Sequence, residues 1–84
     1  MQDTVNKRLT TTVQLIRTIR ESRQYSQDYL AAKIGISQNA YSKIELGYSS
    51  LSLERLFIIA ETLEVKVNDL INGSVPAIDA QADL

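Results

Sequence analysis

Two short runs of this chain begin alike, Ser26-Gln27-Asp28 and Ser37-Gln38-Asn39, with one glycine, Gly35, between them. A serine oxygen can cap a helix start, so each glutamine falls at a first helical position. At about 100° per residue, residues 38 to 45 place Ala40, Tyr41 and Ile44 on one side and Gln38, Asn39, Ser42 and Lys43 on the other. Those four side chains match base-edge chemistry. Gln or Asn can bond adenine N6 and N7 together, Lys can reach guanine O6 and N7, and Ser adapts to either. A solvated helix face would also be polar, so α-helical polarity alone does not decide the matter. The earlier glutamine adds weight: free N–H groups and the positive dipole end at a helix start suit a phosphate oxygen. Across the turn, Gln27 could also reach Gln38 and orient its amide. One glutamine would then sit on a nucleic-acid backbone and the other on a base.

Other chemistries are poorly served. There is no Cys and no His among the 84 residues, which removes disulfides, thiolates, ordinary zinc sites and the commonest general base. The carboxylates are scattered over helix faces with no nucleophile–base pair and no phosphate-cradling glycine loop, so an enzyme is disfavoured. No metal or cofactor is called for. No stretch of 18 or more apolar residues and no signal sequence is present, and the expectation is a soluble, cytoplasmic protein of bacterial or phage type acting at the nucleoid, without a membrane partner.

The net charge of −1 hides a division. Residues 1–48 hold seven Lys and Arg against four Asp and Glu, whereas residues 49–84 hold two against six. A basic front half can face a polyanion while the acidic back half faces away.

The elements that must position these side chains are helical, because sustained period-2 alternation and hairpin turns are absent. Residues 1–8 are polar and are expected to form a flexible arm, with the folded domain over 9–72 and a disordered acidic tail over 73–84. Leu9, Val13, Ile16 and Ile19 give a first helix to about Arg23. Ser26 and Gly35 bound a second helix, Ser37 and Gly47 a third. Ser52 caps a fourth with Leu53, Leu56, Ile59, Ala60 and Leu63 inward, and a short fifth spans about Val67 to Ile71. Only Gly35, Ile36 and Ser37 join the second and third helices, which suits a steep crossing.

The stretch QDYLAAKIGISQNAYSKIEL resembles the helix-turn-helix of the phage repressor and Cro family, also called the XRE family. Ala31 stands at its small crossing position, Gly35 in its turn, and Leu30, Ile34, Ile36 and Ile44 at its core positions; the resemblance covers residues of about 9 to 71. It implies an all-α fold, a compact five-helix bundle of the lambda-repressor-like kind, with the third helix (about 38–46) in the major groove of double-stranded DNA. By the same matching, Gln27 supports Gln38 on adenine, while Asn39, Lys43 and Ser42 take further base-contact positions. Arg20 lies within the first helix's apolar stripe and needs a partner. The resemblance implies a structural ion pair with Glu45.

The sequence departs from the family pattern in two places. Tyr41 replaces a branched aliphatic residue, so its hydroxyl must reach the interior edge or a phosphate. The loop GYSSLS carries no cation, leaving Tyr48, Ser49 and Ser50 to meet phosphates along with Gln27, Arg17 and Arg23. Phe57, Ile58, Val65, Val67 and Ile71 suggest an isologous homodimer interface. The leading expectation is a sequence-specific transcriptional regulator, a repressor on a palindromic operator. An antitoxin or restriction-modification controller of the same fold is an alternative, as is a protein-interaction module that binds an unidentified protein instead of DNA.

Overall fold

A computed structural model describes residues 1–74. It has five helices in the order α1 (Gln2–Ser22), α2 (Gln27–Ile34), α3 (Gln38–Glu45), α4 (Leu53–Leu63) and α5 (Val67–Asn72), and no strand among the described residues. The expected all-α five-helix arrangement is therefore present.

Three helix starts follow directly from serine. Ser26 Oγ accepts from Tyr29 N at 3.0 Å, Ser37 Oγ from Ala40 N at 3.1 Å and Ser52 Oγ from Arg55 N at 3.2 Å. Each satisfies one of the donors that a helix start leaves unpaired. Beyond α3, the Tyr48 N–H donates to Lys43 O at 2.8 Å and the Gly47 N–H to Ile44 O at 3.0 Å. That closure needs a left-handed residue, and Gly47 supplies it with φ +82°. Two further left-handed positions are not glycine: Gln24 after α1 (φ 61°) and Glu64 after α4 (φ 60°). The helix ends before them fall where the apolar periodicity stops, at about Arg23 and Leu63, but with no glycine present the left-handed conformation itself was not legible.

The first helix is longer than its periodic core suggested. Residues 2–8, expected to be a loose arm, are helical as the opening turns of α1. The segment contains no glycine or proline, Asp3 sits in the first turn where the helix dipole favours an acid, and Gln2 Nε2 bonds Asn6 Oδ1 one turn on at 3.1 Å. Residues 1–11 are all exposed, so hydrophobic periodicity carried little signal there. At the other end, the Gly73 and Ser74 positions assigned to the tail close α5, Ser74 N donating to Asp69 O at 2.9 Å. The rest of that tail, 75–84, lies outside the described residues.

Ile16 and Ile19 of α1, Leu30 and Ala31 of α2, Tyr41 of α3, Leu56, Ile59, Ala60 and Leu63 of α4, and Leu70 of α5 form one buried cluster. Leu53, expected on the inner stripe of α4, is instead exposed. Within this arrangement α2 packs on both α3 and α4, and α1 on α3 and α5. Thr12 Oγ1 also donates to Leu70 O at 3.0 Å, fastening α1 to α5.

Candidate nucleic-acid interface

Arg20 and Glu45 meet in the interior. Arg20 Nε donates to Glu45 Oε2 at 2.7 Å, and its second fork nitrogen to Oε1 at 3.1 Å. The pair is bidentate, the geometry in which a guanidinium matches a carboxylate best. The third guanidinium nitrogen donates to the Tyr25 carbonyl at 2.8 Å, which holds the link between α1 and α2. Burial by itself would raise the Glu45 pKa; hydrogen bonds from Arg20 and Gln27, with the neighbouring Tyr41 hydroxyl and the Arg20 charge, hold it below its ordinary value. The Arg20 pKa is raised above its already high value by the bond to Glu45, against the opposing effect of burial.

Gln27 was expected to turn toward Gln38. In the structure its Nε2 donates to Glu45 Oε1 at 3.1 Å, and no bond to Gln38 is formed. A buried carboxylate with one lone-pair direction unfilled attracts an amide N–H more strongly than a neutral, exposed amide does. This link joins α2 to α3 through a residue that the family resemblance assigns only to an ion pair. The available signal was that a carboxylate can accept more hydrogen bonds than one guanidinium fork supplies.

On α3, Gln38, Asn39 and Lys43 are exposed and Ser42 is half-buried. The opposite side is closed off by Tyr41, Ile44 and Glu45, all buried. Tyr41 is 0% exposed, which rules out the phosphate contact considered for its hydroxyl. The phenol lies in the core, where it takes the volume of an aliphatic side chain and brings its hydroxyl beside Glu45 without reaching hydrogen-bond geometry. Burial first, then the Glu45 carboxylate, pushes the Tyr41 pKa up, so the group is neutral at any ordinary pH.

The α3–α4 loop presents Tyr48, Ser49 and Ser50, all exposed. Arg17 is exposed and pairs with Glu21 at 3.4 Å, an i,i+4 contact of the kind that is weak and easily exchanged. Arg23 is different from its expected role. It is half-buried, and its Nε donates to the Leu63 carbonyl at 2.6 Å, at the C-terminus of α4 where a cation meets the negative dipole end. Its guanidinium is therefore committed to holding α1 against α4.

The five residues expected to make one self-association surface are divided. Val65 and Val67 are half-buried and packed against the core. Ile58 lines a groove with Tyr25, Tyr29 and Lys33 of the α1–α2 region, whereas Ile71 lines a separate groove of about 300 Å³ with Val5, Leu9 and Val13 of α1. Phe57 is 49% exposed. The helical wheel placed these residues by angle on their own helices, and the packing of α5 on α1 sends Ile71 to a different side.

Among the described residues no group of acidic, His or Cys side chains could hold a metal ion, and no helix is long and apolar enough to cross a membrane. No curated protein and no solved structure matches the chain significantly. The helix-turn-helix family model matches residues 16–70, well over half of the chain, and spans the ion pair, α2, α3 and the loop that follows. The chain thus belongs to the XRE-type helix-turn-helix family, a family of DNA-binding proteins of the transcription-regulator kind.

Proposed function

We propose that the protein is a sequence-specific repressor that acts as a homodimer by occupying a palindromic operator, with α3 in the major groove. The observation that carries this reading is the α3 face, where exposed Gln38, Asn39 and Lys43 stand beside half-buried Ser42 on a helix whose other side is buried. These are base-reading side chains on a short helix held rigidly from behind. Gln27, Tyr48, Ser49, Ser50 and Arg17 would supply backbone contacts. Exposed Phe57 on α4 and Ile71 on α5 support self-association. A twofold dimer would set two α3 helices about 34 Å apart, one turn of DNA. Repression would follow from occupancy in the cytoplasm or nucleoid, with no catalysis and no cofactor.

The test is selection of a preferred duplex from random DNA by the full chain, followed by light scattering of the free and bound protein. A palindromic sequence with half-sites one turn apart and a dimer on the DNA meet the expectation; a monomer in both states rejects the homodimer. The cation-free loop favours a second reading, in which the domain holds another protein and does not read DNA. Failure to enrich any sequence would favour that reading. Neighbouring genes would separate a general repressor from an antitoxin or a restriction-modification controller.

A further inference from the structure

We infer that Glu45 is a positioning residue of the DNA-facing surface, holding the Gln27 amide in one of its two orientations so that Gln27 meets its partner with one N–H and its carbonyl oxygen. The inference rests on the DNA-binding reading and adds a determinant from the interior. Glu45 Oε1 accepts from both Arg20 and Gln27 at 3.1 Å, and Oε2 accepts from Arg20 at 2.7 Å. A flipped Gln27 amide would aim its carbonyl oxygen at the carboxylate, replacing a charge-assisted bond with repulsion between two acceptors. The carboxylate cannot swing away to relieve this, because both its oxygens are held by the Arg20 fork. Arg20 in turn is anchored by the Tyr25 carbonyl two residues before Gln27.

The consequence is a restricted outward donor set. A free glutamine side chain can offer two N–H groups to phosphates; Gln27 keeps only one for an acceptor, and its oxygen requires a donor such as a base amino group or another amide. Beside it, Ser26 Oγ already takes the Tyr29 N–H, which leaves the backbone N–H groups of Gln27 and Asp28 at the helix start. The depressed pKa of Glu45 keeps its carboxylate charged, and the amide locked, across neutral pH.

Binding of the full chain to the selected duplex and to a scrambled duplex of equal length tests this, using wild type, Glu45→Asp, Gln27→Met and the double variant. Aspartate keeps the charge for Arg20 but withdraws the carboxylate by one methylene. Glu45→Asp should weaken binding to both duplexes by about ten-fold, as the loss of a backbone contact does, and cost nothing further in the Gln27→Met background. The same loss with and without Gln27 overturns the inference and leaves Glu45 with the fold alone. Wild type that does not distinguish the two duplexes overturns the DNA reading itself and this inference with it. Side-chain NMR of the free wild type decides the matter if Glu45→Asp does not fold. One Gln27 amide proton should be shifted downfield and protected from exchange relative to those of the exposed Gln14, Gln24 and Gln38; Gln27 signals indistinguishable from theirs overturn the lock.

Discussion

Arg20 and Glu45 lie 25 residues apart in the chain and 2.7 Å apart in the structure, joining the last turn of α1 to the last residue of α3. Removing one partner leaves the other charged and buried, which costs more than the pair itself contributes. Glu45→Gln should lower the unfolding free energy by about 3 kcal/mol, read from urea or guanidinium midpoints. Replacing both residues with apolar ones of similar size should cost less than the single change. A single variant as stable as wild type would contradict this account.

The same pair gives stability a pH dependence. The folded Glu45 pKa lies below its ordinary value of 4.5, so the folded state favours the ionised carboxylate. Its contribution is complete above the unfolded value and is lost as pH falls through the folded one. Denaturant midpoints should therefore be insensitive to this group at neutral pH and decline below about pH 4.5. In a Glu45→Gln variant, that part of the acid sensitivity should be missing.

Tyr41→Phe separates a core phenol from a phosphate ligand. Its hydroxyl is buried and lacks a bond of good geometry, so its removal should change stability by no more than about 1 kcal/mol. Affinity for the selected duplex should stay at the wild-type value. A loss of affinity without a loss of stability would return Tyr41 to the interface.

Glu64 ends α4 in the left-handed region and places a carboxylate near the negative end of that helix. Both features are unfavourable for a non-glycine acid. Glu64→Gly should raise stability by about 1 kcal/mol in thermal or chemical unfolding. No such gain is expected from changing Gly47, whose φ of +82° suits glycine already.

Gln38→Ala should cost about 1–3 kcal/mol on the selected duplex, concentrated at one base pair. By contrast, alanine at Ser49 or Ser50 should weaken selected and scrambled duplexes alike, because a phosphate contact carries no base identity. With no cation in that loop, neither change should alter the salt slope by a full unit. Fluorescence titration at two salt concentrations reads all three variants.

The parts of this molecule legible in its sequence are those with local causes. Ser26, Ser37 and Ser52 cap within three residues, and the apolar spacing of Ile16 and Ile19 or of Ile59 and Leu63 places them inward without reference to any partner. The exposed side of α3 was legible for the same reason. What escaped depends on three-dimensional competition. Gln27 bonds Glu45 because a charged acceptor outcompetes Gln38, and Arg23 is drawn to the Leu63 carbonyl by a helix end 40 residues later. Ile58 and Ile71 diverge because two helices pack on different neighbours. The opening of α1 was missed where exposure on all sides removes the periodic signal.

The Tyr25 carbonyl and the Glu45 carboxylate both accept from the Arg20 guanidinium, and the Gln27 amide donates to that same carboxylate, so α2 and α3 cannot loosen separately without breaking bonds of one shared network. Such a unit opens all at once, and its backbone amides should exchange with solvent at the rate set by unfolding of the whole domain. The first three turns of α1, exposed and remote from that junction, should exchange sooner through fraying. A protein built this way can lose its outer helical turns repeatedly while its reading helix keeps its aim.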